Sequence, residues 1–237
     1  KALAYRLIDG ASIAWSVWIA DRVWCPSQFS ANETARLLPF AKHKLRVLPN
    51  LVPGFSGVPA PLPVALPARY WLAVGTREPR KNMPWFVEGW RQARAQSPSV
   101  PDLALVGHAD DLPTELSGLP GLHWLSGLTD AQLHGLYAGA ECLWQPSYAE
   151  GFGLPVVEAL SVGTPVALAS GSALDEVAPP SSPRFAPQNP DELLACLLRL
   201  AAQPLPRDTR ELLNWAARYS LPAYSQHMNN LLQELAA

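Results

Sequence analysis

Glu150 and Glu158 flank Gly151-Phe152-Gly153-Leu154-Pro155-Val156-Val157, and this is the stretch best suited to chemistry. The run 141–145 reads as a strand that passes into a Gly-containing turn. Pro155 sits where a first helical turn begins, a position at which its missing N–H is no loss. The turn therefore delivers a helix N-terminus, whose free amides and positive dipole end favour an anion. Gly151 and Gly153 allow backbone to approach that anion closely. The two carboxylates would repel a phosphate, so they are assigned to hydroxyls, which donate to carboxylate oxygens. Ribose and hexose hydroxyls are the expected partners.

A second constellation is Gly75-Thr76-Arg77-Glu78-Pro79-Arg80-Lys81-Asn82, where a strand ends at Gly75 and three cations crowd before a helix. A forked donor and a point charge, as Arg80 and Lys81 supply, suit a diphosphate. His43, His108, His123, His134 and His227 show no ligand spacing, and Cys25, Cys142 and Cys196 are odd in number and far apart. Neither a metal centre nor a disulfide framework is signalled, and a reducing compartment fits. His108 follows Gly107 and stands at the edge of the same expected cleft.

The elements that must position these residues follow from the patterning. Residues 4–19 read as a largely buried helix and 21–27 as a short strand. A helix over 33–38, capped by Ser30 or Asn32, leads to a strand over 45–50. Residues 53–67 are dense in Pro and Gly and read as an extended linker. Strands over 70–74, 103–106, 123–124, 141–145 and 165–169 then alternate with helices over 84–95, 130–138 and 155–162. That order predicts an α/β fold, a Rossmann-like parallel sheet flanked by helices over 68–205, with further helices over 191–202 and 210–235. Ligands of such sheets bind beyond the carboxyl ends of the strands, where both constellations fall.

Composition agrees with a globular protein. The chain has 237 residues, 49% hydrophobic and 16% charged, enough to bury one or two cores. A net charge of -2 speaks against wrapping nucleic acid. No early apolar run reaches the ~20 residues of a membrane-spanning helix. The sequence opens at Lys1, without Met and inside a helical pattern, and is expected to lack the start of a longer chain. The apolar residues of 13–23 are then candidates for a dimer face.

The pattern from Glu150 to Glu158, the Gly-Thr-x-x-Pro-Arg-Lys-Asn loop, Trp124-Leu125-Ser126-Gly127-Leu128 before Asp130, and Gly163-Thr164-Pro165-Val166 resemble the retaining GT-B glycosyltransferases of family 4. The resemblance implies two Rossmann-like domains with a cleft between them. Residues 1–52 would be the last part of the N-terminal, acceptor-side domain, 68–205 the nucleotide-sugar domain, and 206–237 helices that cross back. It implies that Arg80 and Lys81 neutralise the diphosphate. Glu158 would take the ribose hydroxyls, and Glu150 with the Gly151-Phe152-Gly153-Leu154 backbone the sugar and distal phosphate. Gly75 and Thr76 would line the phosphate loop, and Ser126, Gly127 and Leu128 the base pocket. Many members carry Arg where this chain has Thr76, with Arg77 beside it.

The implied reaction moves a hexose to a saccharide or lipid-linked acceptor. GDP-mannose is favoured, because the loop is similar to that of bacterial mannosyltransferases of surface polysaccharide synthesis. No metal or other cofactor is expected. The implied setting is the cytoplasm, at the inner face of the membrane, with peripheral membrane contact by the full-length protein. The alternatives are a GT-B sugar-nucleotide epimerase and a non-catalytic nucleotide-sugar-binding module. This chain by itself is expected to bind donor without full activity.

Overall fold

A computed structural model describes residues 2–236, with side chains from Gly10 onward. Strand β3 (Tyr70–Val74) lies at the centre of a six-stranded, wholly parallel sheet. The others are β4 (Asp102–Val106), β5 (Leu122–Leu125), β6 (Cys142–Gln145), β7 (Val166–Ala169) and β8 (Arg184–Phe185), in spatial order β5-β4-β3-β6-β7-β8. The chain first adds strands to one side of β3 and then, from β6, to the other. The reversal falls between β3 and β6, and side-by-side strand ends that diverge there leave a crevice for a ligand. The Rossmann-like α/β sheet expected from the alternation is what the chain forms.

Period-two alternation explains why the sheet is covered on both faces. Tyr70 and Leu72 of β3 point to a core shared with α5 (Asp130–Gly139), α6 (Leu154–Ser161) and α9 (Thr209–Ala216). Trp71 and Ala73 point to the opposite core, built with α3 (Met83–Gln96) and α8 (Pro190–Ala202). In that second core the Trp71 and Trp144 rings meet at 5.0 Å and Phe86 lies 5.5 Å from Trp144, a cluster of mutually tilted rings across β3 and β6. A short helix, α4 (Thr114–Ser117), and strand β8 were not expected from the sequence, whereas Asp175 and Glu176, which read in sequence as a helix start, do lie in the short helix α7 (Leu174–Val177). Each is four residues or fewer, too short to show a period.

Before the sheet, helix α1 (Ala2–Ile19) leads to β1 (Val23–Cys25), α2 (Gln28–Leu37) and β2 (Leu45–Val47), and β1 and β2 pair in parallel. Helix α2 begins earlier than expected and is capped by Ser27, whose side chain accepts from the Ser30 N–H, rather than by Ser30 or Asn32. Ser27 precedes Gln28 in extended backbone, which is the geometry a capping hydroxyl needs. The Pro-rich segment lies along α5: Ala60 N–H donates to Ala131 O, and Phe55 stacks on His134 at 5.2 Å. The last helix, α10 (Leu221–Ala236), reaches the first unit, where Glu234 pairs with Arg46 of β2 at 2.9 Å. The three cysteines are buried and unbridged. No helix among the described residues is long and apolar enough to cross a membrane.

Close packing at the carboxyl ends of β3 and β4 sets the loop that follows. A Cβ on Gly107 would stand 1.8 Å from Thr76 Oγ1 and under 3 Å from two further Thr76 atoms. Gly107→Ala is therefore expected to cost about 1–3 kcal/mol by overpacking. Urea unfolding measures it, and an unchanged midpoint would mean that the two loops are not packed as described.

Candidate functional site

The carboxyl ends of β3 and β6 open into a cleft of about 790 Å³. Its charged lining consists of Arg80 and Lys81 against Glu78, Glu150 and Glu158. Gly75, at φ +87°, turns the chain out of β3 into this cleft, and a short turn over Pro79–Lys81 brings both cations back to it. Asn82, also left-handed at φ 58°, then starts α3. On the other side Gly153, at φ +106°, starts α6 with Pro155 in its first turn, so the start of that helix borders the cleft.

Lys81 and Glu150 are both buried, and Lys81 Nζ lies 2.9 Å from Glu150 Oε1. The same oxygen accepts from Ser147 Oγ at 2.8 Å and Gln145 Nε2 at 2.9 Å. Arg80 pairs with the second oxygen of Glu150 and donates from Nε to Glu78 at 2.7 Å. Burial by itself would raise the Glu150 carboxyl. The hydrogen bond and charge of Lys81, with Ser147 and Arg80, outweigh burial and hold it below its ordinary value. Glu150 is thus the shared counter-ion of Arg80 and Lys81, and Glu78 a second partner of Arg80.

Glu158 stands in a different environment. Burial pushes its carboxyl up, against the lowering effects of the Tyr137 hydroxyl, which donates to Oε2 at 2.8 Å, and of the Lys81 charge. It retains acceptor capacity towards the cleft, and towards an adjoining cavity of about 200 Å³ lined by Gly54, Phe55, Ser56 and Asp130.

The structure brings together Gly75, Arg80, Lys81, Glu150, Gly151, Phe152, Leu154 and Glu158 as lining of one cleft. Gly153 lies just behind it, where a Cβ would meet Leu174 at 2.6 Å. Thr76 is buried and turned aside, its hydroxyl donating to Asp111 Oδ2 at 2.6 Å. Arg77 and His108 line a hollow with Asp111 that adjoins the cleft at Gly75 and Glu78. Ser126, Gly127 and Leu128 are not among the cleft residues, because β5 is the edge strand and its loop is two strands from the reversal. Sequence reasoning missed Glu78, Gln145, Ser147 and Tyr137. A Gln ending the run Cys-Leu-Trp-Gln of an otherwise apolar buried strand was the available signal for one of them. Among the described residues, no group of three His, Cys, Asp or Glu could hold a metal ion.

The lowered carboxyl of Glu150 makes stability depend on pH with a definite sign. Its stabilisation is fully present above the ordinary carboxylate value of 4.5 and is lost as pH falls through the lowered folded-state value. Glu150→Gln is expected to cost up to about 3 kcal/mol at pH 7, where it leaves Lys81 without a countercharge. The gap to the unsubstituted protein should close in acid. Denaturant unfolding at both pH values measures this, and a gap of equal size at both would contradict the ion pair.

The comparisons bear on the fold and the family. The family model for glycosyl transferases group 1 matches residues 68–203, more than half of the chain and the whole of the six-stranded sheet. An MMP alpha-(1->4)-mannosyltransferase of Mycolicibacterium hassiacum is 38% identical over 122 residues, which cover 50% of this chain and 29% of that protein. The O-antigen chain mannosyltransferase B of Escherichia coli is 29% identical over 189 residues, 73% of this chain and 49% of that one. The chain thus spans at most about half the length of these relatives. Among solved structures, sucrose-phosphate synthase from Thermosynechococcus elongatus superposes with a TM-score of 0.72 at 23% identity, covering 95% of this chain and 61% of that one. Anabaena Alr3699/HepE, in complex with UDP and glucose, gives 0.70 at 18% identity, covering 94% and 66%. The fold is that of the GT-B glycosyltransferases, and the chain belongs to the group 1 glycosyl transferase family.

Proposed function

We propose that this chain is the donor-side part of a retaining hexosyltransferase that uses a nucleotide diphosphate sugar, with GDP-mannose favoured. The observation that carries this reading is the buried Lys81 and adjacent Arg80 at the strand-order reversal, beside the start of α6. Cations and helix amides there suit a diphosphate, whose negative charge grows as the bond to the sugar breaks. No metal is needed in this reading, since Arg80 and Lys81 neutralise the leaving group. Glu158, held by Tyr137, accepts from ribose hydroxyls. Glu150, once the diphosphate has taken its cations, accepts from hydroxyls of the transferred sugar.

Two of the relatives named above are mannosyltransferases, one of them acting on an O-antigen chain, which supports mannose as the sugar and surface polysaccharide as the product. The solved complex of Alr3699/HepE with UDP and glucose supports nucleotide and hexose as the ligand class of this fold. The acceptor is then a saccharide or lipid-linked saccharide, met in the cytoplasm at the inner face of the membrane.

Calorimetric titration with GDP, UDP, GDP-mannose and UDP-glucose tests the reading. One nucleotide is expected to bind selectively, and Lys81→Ala and Glu158→Gln should each weaken it roughly ten- to a hundredfold, the range for a lost charge-assisted hydrogen bond. Binding that neither substitution changes would contradict the assignment of this cleft to the donor.

A further inference from the structure

Resting on the donor-site reading above, we infer that Ser27, Ser30 and Glu176 are positioning residues of the donor phosphate loop, so that the unit formed by β1, α2 and β2 is part of the apparatus that orients the Gly151 and Phe152 amides. These residues lie more than a hundred positions from the loop or from the helix they hold.

Ser27 Oγ donates to Gly151 O at 2.8 Å, and Ser30 Oγ lies 3.0 Å from the same carbonyl. The contact is close enough that a Cβ on Gly151 would stand 3.4 Å from Ser30 Oγ. One residue earlier, the Glu150 carbonyl accepts from the Ala173 N–H at 3.2 Å. In a planar trans peptide the N–H points opposite to the C=O. Fixing the carbonyls of Glu150 and Gly151 from outside therefore fixes the directions of the next two amides, those of Gly151 and Phe152. Among the described residues neither amide has a hydrogen-bond acceptor, although Phe152 is buried. Two oriented, unpartnered amides before a helix start are what an anion needs.

Helix α2, which carries the two serines, is held in turn by the sheet domain. Glu176 of α7 accepts from the Gln28 N–H at 3.0 Å and the Phe29 N–H at 2.8 Å, two of the unpaired donors in the first turn of α2. A carboxylate there also complements the positive end of the helix dipole. The ring closes on itself: Glu150 O to Ala173, along α7 to Glu176, across to α2, and from Ser27 and Ser30 back to Gly151. Pro26 and Phe29 of the same segment line the donor cleft, so the ring sets the cleft wall as well as its amides.

The test combines two readouts on wild type, S30A, the double variant S27A/S30A, and S27T. S30A leaves the cap of α2 in place, because Ser27 accepts from the backbone N–H of residue 30, and S27T keeps both cap and donor. The double variant is expected to bind GDP or UDP on the order of tenfold more weakly, S30A a few-fold more weakly, and S27T like wild type. The backbone amide order parameters of Gly151 and Phe152 should fall in S30A and the double variant and not in S27T. A serine pair that only stabilised α2 would lower the thermal midpoint without moving nucleotide affinity or the loop order parameters, and that result overturns the inference. Should the double variant not fold, S30A decides by the same two readouts. Should wild type bind neither GDP nor UDP, the donor reading fails, and the order parameters of Gly151 and Phe152 alone decide whether the serines orient the loop.

Discussion

An ammonium and a carboxylate, Lys81 and Glu150, meet at 2.9 Å in a place from which water is largely excluded. Removing two charges from water costs several kcal/mol each, and their attraction offsets this only when the remaining polar atoms are also partnered. Gln145 and Ser147 provide that partnering on the Glu150 side, and both are themselves fully buried. The β6 end, the turn after it and the β3 loop therefore have to be held together. Tyr148 N–H donating to Arg80 O at 2.8 Å joins the two loops through backbone as well. A pair of this kind is weak evidence for stability and much better evidence for a site, since a plain apolar contact would have been easier to build there.

The rest of the molecule serves that position. Parallel strands buried on both faces give a rigid floor, and the reversal between β3 and β6 leaves room above it. Trp71, Phe86 and Trp144 pack beneath the two central strands, so the loops that carry the charges leave from a fixed base. Glu150 and Glu158, the two acids flanking the turn, end in opposite electrostatic states. Glu150 is kept ionised by two cations, while Glu158 is pushed up by burial and steadied by Tyr137. Divergent environments for two carboxylates in one cleft are what separate roles require.

Much of this was legible in sequence because it depends on local rules. A strand, two glycines and a proline specify the turn into α6, and a glycine followed by clustered cations specifies the β3 loop. Alternation of strands and helices gave the sheet, and right-handed crossovers restrict its order. What was not legible depends on tertiary placement. Ser126, Gly127 and Leu128 follow a strand as the other loops do, and no local pattern announces that this strand, β5, is the edge of the sheet, roughly 10 Å from β3 at the usual strand spacing. Thr76 is adjacent to the cleft residue Gly75 but turns to Asp111, a partner that no local pattern announces. Glu176 reads as an acid in a short first helical turn, and only the fold shows that it caps a different helix.

In the proposed function the Lys81–Glu150 pair marks the diphosphate site, and a crystal structure of the protein with a bound nucleoside diphosphate decides whether it does. Phosphate oxygens are then expected within hydrogen-bond distance of Lys81 Nζ and the Gly151 and Phe152 amides, with the Glu150 carboxylate displaced from at least one of its cations. A nucleotide seated elsewhere, such as the cavity of about 390 Å³ between α10 and the β1–α2–β2 unit, with the pair intact, would contradict it.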